Sequence, residues 1–336
     1  MKNEMNAKVD GRTSHEVLVV IVNFNGGGLL VRSVEAVMRQ TFLDYRLIIV
    51  DNASSDGSIE LLRKSFPEVE VLSAGANLGF AAANNLAVRT VRGTRWIALL
   101  NPDAFPEPDW LRRLVDAARN SPNTASFASR TIDARDSTIL DGAGDAYHVS
   151  GRYWRRGNRC RAMNSHLRRE EIFSACAAAA LYSRAAWEEV GGLDEDFFCY
   201  GEDVDLGFRL QLLGYSCLYV PEAVAFHQGS AVTGVRSDFS TYHGQRNLVW
   251  VYVKNMPPLL FWLFLPYHLA LNAAALVLCA LRGQGLLGIR AKVDALRGLG
   301  QALRKRSAIQ LSRRSTVGQI WRLLHRGWPF PQCWSP

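Results

Sequence analysis

The sequence predicts an α/β fold with a mainly parallel sheet flanked by helices. Short apolar runs alternate with amphipathic stretches from Val17 onward, and this alternation is typical of βαβ units. The 336 residues are 48% hydrophobic and 21% charged, which excludes a mostly disordered chain and a polytopic membrane protein. A chain of this length can bury one large core or two modest cores.

Four short apolar strands are predicted in the first hundred residues. They cover residues 17–22, 46–50, 69–72 and 96–100, and a glycine-rich turn after the first strand leads into a helix that ends near residue 39. The segment 122–184 is irregular and rich in Gly and Arg, so we assign it to a second half of the fold. Residues 201–213 are predicted to be a helix, because Leu206, Leu210 and Leu213 recur at helical spacing and Gly214 closes it.

Polar residues follow three of these strands, at the sheet edge where α/β folds bind ligands. They are Asn23 and Asn25, Asp51 and Asn52, and Asn101 and Asp103. Asp51 can accept hydrogen bonds from a nucleobase or ribose, although the polar residues up to position 58 also suit a helix cap. Pro102 stiffens the turn before Asp103, whose carboxylate can bind Mg²⁺ or Mn²⁺; an ordinary Asx turn is the alternative.

A second acidic site, Glu202 and Asp203, begins the predicted helix at 201–213. Acids in a first turn offset the helix dipole, so a structural role is open for Glu202 and for Asp205. Asp205 also has Arg209 at i+4, the spacing of a surface ion pair. We predict that Asp203 is a general base, because a carboxylate at a helix start is held rigidly.

Two further stretches carry candidate binding residues. Residues 74–84 place small side chains at a helix start, where the chain can approach a ligand closely; the candidates there are Asn77, Gly79, Phe80 and Asn84. This stretch lacks the GxGxxG spacing, which argues against a dinucleotide dehydrogenase. The arginine-rich loop at 152–161, with Arg155 and Arg156, can hold a diphosphate, although it also suits a solvated surface loop.

The C-terminal region combines an apolar segment with a basic tail. Residues 259–281 carry no formal charge and exceed the roughly 20 apolar residues that cross a bilayer; they are also long enough for two shorter legs. Residues 282–336 hold eleven Lys and Arg against one acid, Asp294, which gives a tail of +10 in a chain of +8. Such a tail suits nucleic acid or an anionic leaflet, and the apolar segment favours the membrane. We expect no nucleic-acid partner.

We predict that the apolar segment forms a shallow hairpin bent near Pro266. A single crossing would translocate the basic tail, against the tendency of Lys and Arg to stay inside. The expected location is therefore the cytoplasmic face of the inner (plasma) membrane, as a peripheral or monotopic protein. The six cysteines show no metal-ligand spacing and are expected to be reduced thiols, and no signal peptide is expected before Val17.

Five stretches, in this order along the chain, resemble glycosyltransferase family 2 and within it the rhamnosyltransferase-like branch. They are VVIVNFN at 19–25, VDNASSDGS at 50–58, NLGFAAANN at 77–85, LLNPD at 99–103 and FFCYGEDVDLGFRL at 197–210. His227 in FHQGS and the pair Arg246 and Asn247 also match, so the resemblance covers roughly residues 16–260.

The resemblance implies a GT-A fold, in which a nucleotide-binding half and an acceptor half form one domain. It implies that Asp203 is the base and that Asp103 and His227 hold a divalent cation, Mg²⁺ or Mn²⁺. Asn101 stands where the DxD motif of the family often has an acid, as is common in this branch. The expected donor-binding residues are Asn23, Asn25, Asp51, Asn52, Asn77, Gly79, Phe80, Asn84, Asn101 and Arg246. The expected acceptor-binding residues are Glu202, Arg155 and Arg156.

The implied function is inverting glycosyl transfer in cell-envelope polysaccharide synthesis. The expected donor is a nucleotide sugar, best dTDP-L-rhamnose, and the expected acceptor is a hydroxyl of a glycan or a polyprenyl-linked sugar at a membrane surface. The expected divisions are a flexible N-terminus at 1–15, a GT-A domain at 16–256, a membrane-associating segment at 257–281 and a basic tail at 282–336.

Two alternatives stay open at this point. A degenerate, non-catalytic transferase that acts as a membrane-bound scaffold would be expected to lose an acid at position 103 or 203, and both acids are present. A sugar nucleotidyltransferase would be expected to have a basic residue in the turn after the first strand, where none precedes Arg32.

Overall fold

The computed structural model describes residues 15–162, 164–229, 234 and 236–329. The predicted flexible N-terminus lies outside the described residues except for His15. Within the described part, one large sheet forms the centre of the molecule, and helices cover both of its faces.

Eight strands in a row make up the central sheet, with two short strands attached at one side. In chain order the strands are β1 (Val17–Asn23), β2 (Tyr45–Asp51), β3 (Glu70–Ser73), β4 (Trp96–Leu100), β5 (Ala104–Pro106), β6 (Thr124–Asp133), β7 (Leu140–Gly142), β8 (Asp145–Tyr147), β9 (Tyr153–Arg155), β10 (Glu170–Ile172), β11 (Ala179–Ser183) and β12 (Ser216–His227). The order across the sheet is β10-β12-β6-β11-β4-β1-β2-β3, with β5 on β12 and β7 on β6. Strands β8 and β9 pair separately.

The helices cover the sheet and then continue as a C-terminal extension. They are α1 (Gly27–Met38), α2 (Ser58–Ser65), α3 (Gly79–Thr90), α4 (Trp110–Arg119), α5 (Arg184–Val190), α6 (Glu202–Leu212), α7 (Asp238–Asn255), α8 (Pro258–Leu281), α9 (Gly285–Arg297), α10 (Leu299–Leu311) and α11 (Val317–Leu323).

The first half of the sheet is parallel, as the sequence predicts. Strands β3, β2, β1 and β4 run side by side in parallel register, and Asn23 is aligned with Asp51 at their carboxyl ends. Strand β1 is fully buried because helices pack on both faces. Leu18 and Val20 face one apolar core, while Val19 and Ile21 face the other. This continuous apolar pattern is what parallel strands covered on both sides require.

The second half of the sheet is mixed, and the sequence did not predict it. Strand β11 runs antiparallel to both β4 and β6, whereas β12 runs parallel to β6. The segment expected to be irregular therefore contributes two central strands. Strand β6 carries buried Ser126, Ser129 and Thr131, which hide its apolar pattern.

The predicted hairpin at Pro266 is wrong, because α8 continues through this proline as one helix of 24 residues. A proline inside a helix removes one backbone hydrogen bond and can kink the axis, but it does not by itself reverse the chain. The reversal comes after the helix, where Gly283 adopts a positive φ of 75° and leads into α9.

The residues after α8 fold back onto the body. The indole of Trp250 in α7 donates to the Ala295 carbonyl in α9 (2.9 Å). Arg306 in α10 donates to the carbonyls of Val253 and Met256 (2.8 and 2.7 Å). Much of the basic region is thus packed protein rather than a free arm.

The expectation of reduced thiols is met by some of the cysteines. Cys176, Cys199, Cys217 and Cys279 are free. Cys160 is disulfide-bonded, which corrects the expectation for this residue. Cys333 lies outside the described residues.

Candidate active site

A cleft of about 820 Å³ opens at the carboxyl ends of β1, β2, β4 and β6. This is the edge at which α/β sheets bind ligands. Ten of the residues predicted from the sequence line it: Asn52, Asn77, Gly79, Phe80, Asn101, Asp103, Arg155, Glu202, Asp203 and His227. Its volume is within the range of about 300–1,000 Å³ that is typical of ligand-binding pockets.

One wall of the cleft is built by Asn52 after β2 and the turn before α3. The Asn52 side chain donates to the Asn77 side-chain oxygen (2.9 Å) and accepts from the Leu78 amide (2.8 Å). Gly79 has a φ of +81°, and a Cβ there would lie 2.5 Å from the Phe198 carbonyl oxygen. Only glycine allows this close approach, so the turn before α3 can pack directly against Phe198, which also lines the cleft.

Other predicted donor-binding residues lie outside the lining of the cleft. Asn23 is fully buried and donates to the hydroxyls of Ser54 and Ser58 (2.9 and 2.8 Å). Asp51 accepts from the Ser54 amide (3.0 Å), as in the turn that was the alternative for this residue. These contacts shape the loop after β2.

Asn25 and Asn84 are also held by local contacts. Asn25 accepts from the Ser55 amide (2.8 Å), and Asn84 donates to the Phe80 carbonyl one turn earlier in α3 (2.9 Å). Neither side chain lines the cleft. Their donor-binding roles stay predictions.

Asp103 and His227 form the candidate metal site. Asp103 follows β4 and His227 ends β12, and pairing of β12 with β5 places both buried side chains together. His227 Nε2 lies 3.3 Å from Asp103 Oδ1 and 3.4 Å from the Asn101 amide nitrogen. Two ligand atoms at right angles around a cation, with bonds of about 2.1 Å, would be about 3.0 Å apart. The pair therefore fits a divalent cation.

The charges around His227 favour its protonated form. Burial alone would lower the pKa of His227, but Asp141 and Asp103 outweigh burial and raise this pKa to about 9. Metal binding requires the neutral ring of His227, so a cation that binds there would release the proton of the imidazolium.

Asp141 is a site residue that the sequence did not single out. Its Oδ2 lies 2.9 Å from His227 Nδ1 and accepts from Arg155 Nη1 at 2.7 Å. Burial would raise the pKa of Asp141, but Arg155 and His227 hold it below its usual value. No periodic pattern marks residue 141, so only the fold shows this contact.

Asp203 lies in the first turn of α6, as predicted. Its two carboxylate oxygens accept from the backbone amides of Ala177 (3.1 Å) and Val204 (2.8 Å). These bonds fix the carboxylate at the wall of the cleft. Gly201, with a φ of +87°, provides the turn that starts the helix there.

Two further carboxyl groups surround Asp203. Burial, followed by the Asp203 charge, raises the pKa of both Glu202 and Asp145 well above the usual values. One oxygen of Glu202 is buried without a hydrogen-bond partner among the described residues. Asp145, Cys176 and Asp203 place their ligand atoms within 4.8 Å of one another. Burial raises the pKa of the Cys176 thiol, which disfavours the thiolate that would bind a metal.

The predicted arginines are mostly engaged by protein groups. Arg155 lines the cleft but is paired with Asp141. Arg156 lies outside the lining and pairs with Glu170. Arg246 also lies outside the lining, where it donates to the Phe197 carbonyl (2.8 Å). Arg246 thus holds the loop before α6 rather than facing the cleft.

The comparisons with known proteins decide the family. The model of the family described as "Glycosyl transferase family 2" matches residues 18–191, which is more than half of the chain. The chain belongs to glycosyl transferase family 2. The match includes β1 to β4, the Asn101-Pro102-Asp103 turn and much of the mixed half of the sheet.

Curated relatives include two rhamnosyltransferases. The N-acetylglucosaminyl-diphospho-decaprenol L-rhamnosyltransferase of Mycobacterium tuberculosis is 29% identical over 241 residues, which cover 64% of this chain and 77% of that protein. The O-antigen chain rhamnosyltransferase RfbN of Salmonella typhimurium is 25% identical over 230 residues, which cover 68% and 70%. The chain is therefore a glycosyltransferase that resembles the rhamnosyltransferases of cell-envelope polysaccharide synthesis.

Solved structures show the GT-A-like fold. The mannosyltransferase PcManGT from Pyrobaculum calidifontis, in complex with GDP-Man and Mn²⁺, has a TM-score of 0.53 at 18% identity and covers 93% of this chain and 88% of its own. GalNAc-T7 with UDP, GalNAc and Mn²⁺ has a TM-score of 0.56 at 17% identity, over 72% of this chain and 48% of its own.

Proposed function

We propose that this chain is an inverting, metal-dependent glycosyltransferase. It moves a sugar from a nucleoside diphosphate donor to a hydroxyl of a glycan or lipid-linked acceptor. The observation that carries the proposal is that one cleft joins the Asp103 and His227 pair to the rigidly held Asp203 carboxylate. The pair suits a cation beside a diphosphate, and Asp203 suits an acceptor hydroxyl.

Asp203 is the base in this mechanism. It takes the proton of the acceptor hydroxyl while that oxygen bonds to the anomeric carbon and the bond to the diphosphate breaks. A positioned base contributes on the order of 10²–10⁴ in rate. The neighbouring Glu202 and Asp145 keep their protons to higher pH because both are buried beside Asp203. A single displacement inverts the anomeric centre and needs no carboxylate nucleophile.

Asp103 and His227 would hold Mg²⁺ or Mn²⁺, which when bound offsets the negative charge that develops on the departing diphosphate. Asn52 and the turn at 77–80 line the same cleft and would hold the nucleoside end of the donor. Their amide groups are already fixed by mutual hydrogen bonds. A fixed wall of this kind lowers the entropy cost of binding the donor.

The rhamnosyltransferase relatives support rhamnose as the transferred sugar, and the name of the first supports a polyprenyl-diphosphate-linked sugar as the acceptor. We propose dTDP-L-rhamnose as the donor. Arg155 and Arg156, predicted to bind the acceptor diphosphate, are paired with Asp141 and Glu170. Glu202 lines the cleft, and one of its carboxyl oxygens has no hydrogen-bond partner within the described part of the chain, so it is better placed to contact the acceptor sugar.

The C-terminal extension supports association with a membrane surface. By length and composition, helix α8 is apolar enough to cross a membrane, with a mean hydropathy of 1.8. Only 11% of its most apolar stretch is buried by the rest of the protein. The exposed apolar side chains of α8 and α9 include Leu259, Trp262, Leu263, Leu269, Val277, Leu281, Leu286, Ile289 and Leu296. An apolar surface of this extent marks a membrane or protein interaction site.

The packing of α9 and α10 on α7 keeps the body and the basic region on one side of any membrane. Helix α8 would therefore enter the membrane surface without carrying α9 to the other side, because the Trp250 indole of α7 bonds to α9. Arg282 and Arg290 are exposed and suit anionic headgroups, at about 1 kcal/mol each, whereas Arg297 is paired with Asp294 at 2.8 Å. We propose a monotopic protein at the cytoplasmic face of the plasma membrane, where a nucleotide-sugar donor would be available.

A panel of nucleotide sugars tests the proposal. Thermal unfolding of the full chain in detergent is measured with dTDP-rhamnose, UDP and GDP sugars, each with and without Mn²⁺. We expect the largest stabilisation with dTDP-rhamnose and Mn²⁺, and a loss of the Mn²⁺ effect in Asp103→Ala. A ligand present at 100 times its Kd stabilises by about 2.7 kcal/mol. No stabilisation by any nucleotide sugar would contradict the proposal.

A further inference from the structure

The ring of His227 lies between two carboxylates that contact opposite nitrogens. Nε2 faces Asp103 Oδ1 at 3.3 Å, and Nδ1 faces Asp141 Oδ2 at 2.9 Å. The ring is almost fully buried, at 4% exposure. The shorter of the two contacts is the one to Asp141.

Asp141 also accepts hydrogen bonds from Arg155 and Asn158. Arg155 Nη1 donates to the same Oδ2 at 2.7 Å, and Asn158 donates to the Asp141 backbone carbonyl at 2.8 Å. Arg155 also contacts Cys176 Sγ, which anchors the guanidinium at the cleft wall. A chain of contacts therefore runs from Arg155 through Asp141 to His227.

A neutral imidazole offers one nitrogen as a donor and the other as a lone pair. A carboxylate that accepts the Nδ1 proton fixes the tautomer with its lone pair on Nε2, and it also fixes the ring orientation. Nε2 is the nitrogen that faces Asp103, and Asp103 and His227 both line the cleft. Without Asp141, the buried ring could rotate or present the wrong tautomer.

We propose that Asp141 is a positioning residue, which directs His227 Nε2 toward the cation that His227 and Asp103 share. The proposal rests on the proposed metal site and deepens it. It also gives Arg155 a new role, because its guanidinium holds Asp141 in place rather than binding the acceptor diphosphate. Asp141 itself does not contact substrate in this account.

Binding of Mn²⁺ alone, measured by electron paramagnetic resonance on the full chain in detergent, tests the proposal without an activity assay. We expect Asp141→Asn to weaken Mn²⁺ binding about 10–100-fold, the usual effect of losing the partner of a metal-binding histidine. The control is Asp136→Asn, which removes an exposed carboxylate five residues earlier in the chain that bonds to Thr138 within its own turn. The control should bind Mn²⁺ like the wild type. Circular dichroism confirms that each variant is folded.

A double-mutant cycle separates positioning from an independent effect. If Asp141 acts through His227, Asp141→Asn should change Mn²⁺ binding less than twofold in a His227→Ala background. An equal loss in both backgrounds would overturn the proposal, since Asp141 would then act on its own. Unchanged binding in Asp141→Asn alone would overturn it as well. Absence of Mn²⁺ binding by the wild type would instead refute the proposed metal site.

Discussion

Lys254 joins the C-terminal helices to the helix that carries the candidate base. Its side chain is only 2% exposed and forms ion pairs with Asp194 and with Asp205, which is fully buried in α6. The distance from Lys254 Nζ to Asp205 Oδ1 is 2.8 Å. We expect Lys254→Met, which preserves the volume of the side chain, to destabilise the protein strongly.

The size of the effect follows from what the substitution leaves behind. Removing one partner of a buried ion pair costs about 3–5 kcal/mol, because the other charge stays buried. Asp205 keeps Arg209 at 2.8 Å and Asn255 at 2.7 Å, and Asp194 keeps Lys305 at 2.5 Å. These remaining contacts favour the lower end, about 3 kcal/mol.

Urea unfolding at pH 7 measures the loss in free energy of unfolding. The matched control is Lys305→Met, which removes a partly exposed lysine from the same Asp194 carboxylate and should cost about 1 kcal/mol or less. Equal losses in the two variants, or a loss below 1 kcal/mol in Lys254→Met, would refute the reasoning.

The effect should also depend on pH. Burial would raise the pKa of Asp194, but Lys254 and Lys305 hold it below its usual value. A lowered pKa in the folded state stabilises the protein above the unfolded-state pKa of about 3.9, and this contribution is lost as the pH falls. The difference between the wild type and Lys254→Met should therefore be largest near pH 7 and should shrink below about pH 4.

Three further changes test other parts of the account. Asp103→Ala and chelation by EDTA should reduce sugar transfer to a similar extent, since both remove the cation from the diphosphate. Trp262→Asp combined with Leu263→Asp should abolish flotation with anionic vesicles. Both side chains are exposed, and burying each of them in the membrane would contribute about 2 kcal/mol to the free energy of membrane binding. Gly79→Ala should weaken donor binding more than tenfold, because its Cβ would clash with the Phe198 carbonyl at 2.5 Å.

Each of these changes has a matched control. Asp136→Ala should leave transfer unchanged, and full activity after EDTA would contradict metal dependence. Leu43→Asp changes an exposed leucine on the body and should leave flotation intact; flotation of the Trp262 and Leu263 variant would refute the membrane surface. Gly75→Ala has the same strained backbone, with a φ of +74°, but open space around its Cβ, so equal donor binding by both glycine variants would refute the clash.

The nucleotide-binding half was predictable from the sequence because its strands need no polar partners. Strands β1, β2 and β4 are apolar runs, and the structure begins and ends them within about one residue of the predicted bounds. Strand β6 was missed because its serines are buried. The Ser129 hydroxyl accepts a hydrogen bond from the indole of Trp110 at 2.7 Å. A partner that only the fold supplies leaves no periodic signal in the sequence.

The residues of the candidate site also differ in whether a local sequence signal identifies them. Asp103 and Asp203 were found because a strand end and a helix start can be recognised locally. Asp141 and His227 lie 86 residues apart, and no spacing rule joins them. Pro266 led to the wrong prediction of topology, because the 24-residue helix α8 tolerates the one backbone hydrogen bond that this proline removes.

The most direct test of the central claim is to measure sugar transfer and donor binding together in Asp203→Asn. The base acts on the acceptor, while the donor is held by the other wall of the cleft and the candidate metal site. We expect transfer to fall by 100-fold or more, on the order of the contribution of a general base, while the affinity for the nucleotide sugar stays within about twofold of the wild type. Turnover within threefold of the wild type would contradict the role of Asp203 and with it the mechanism.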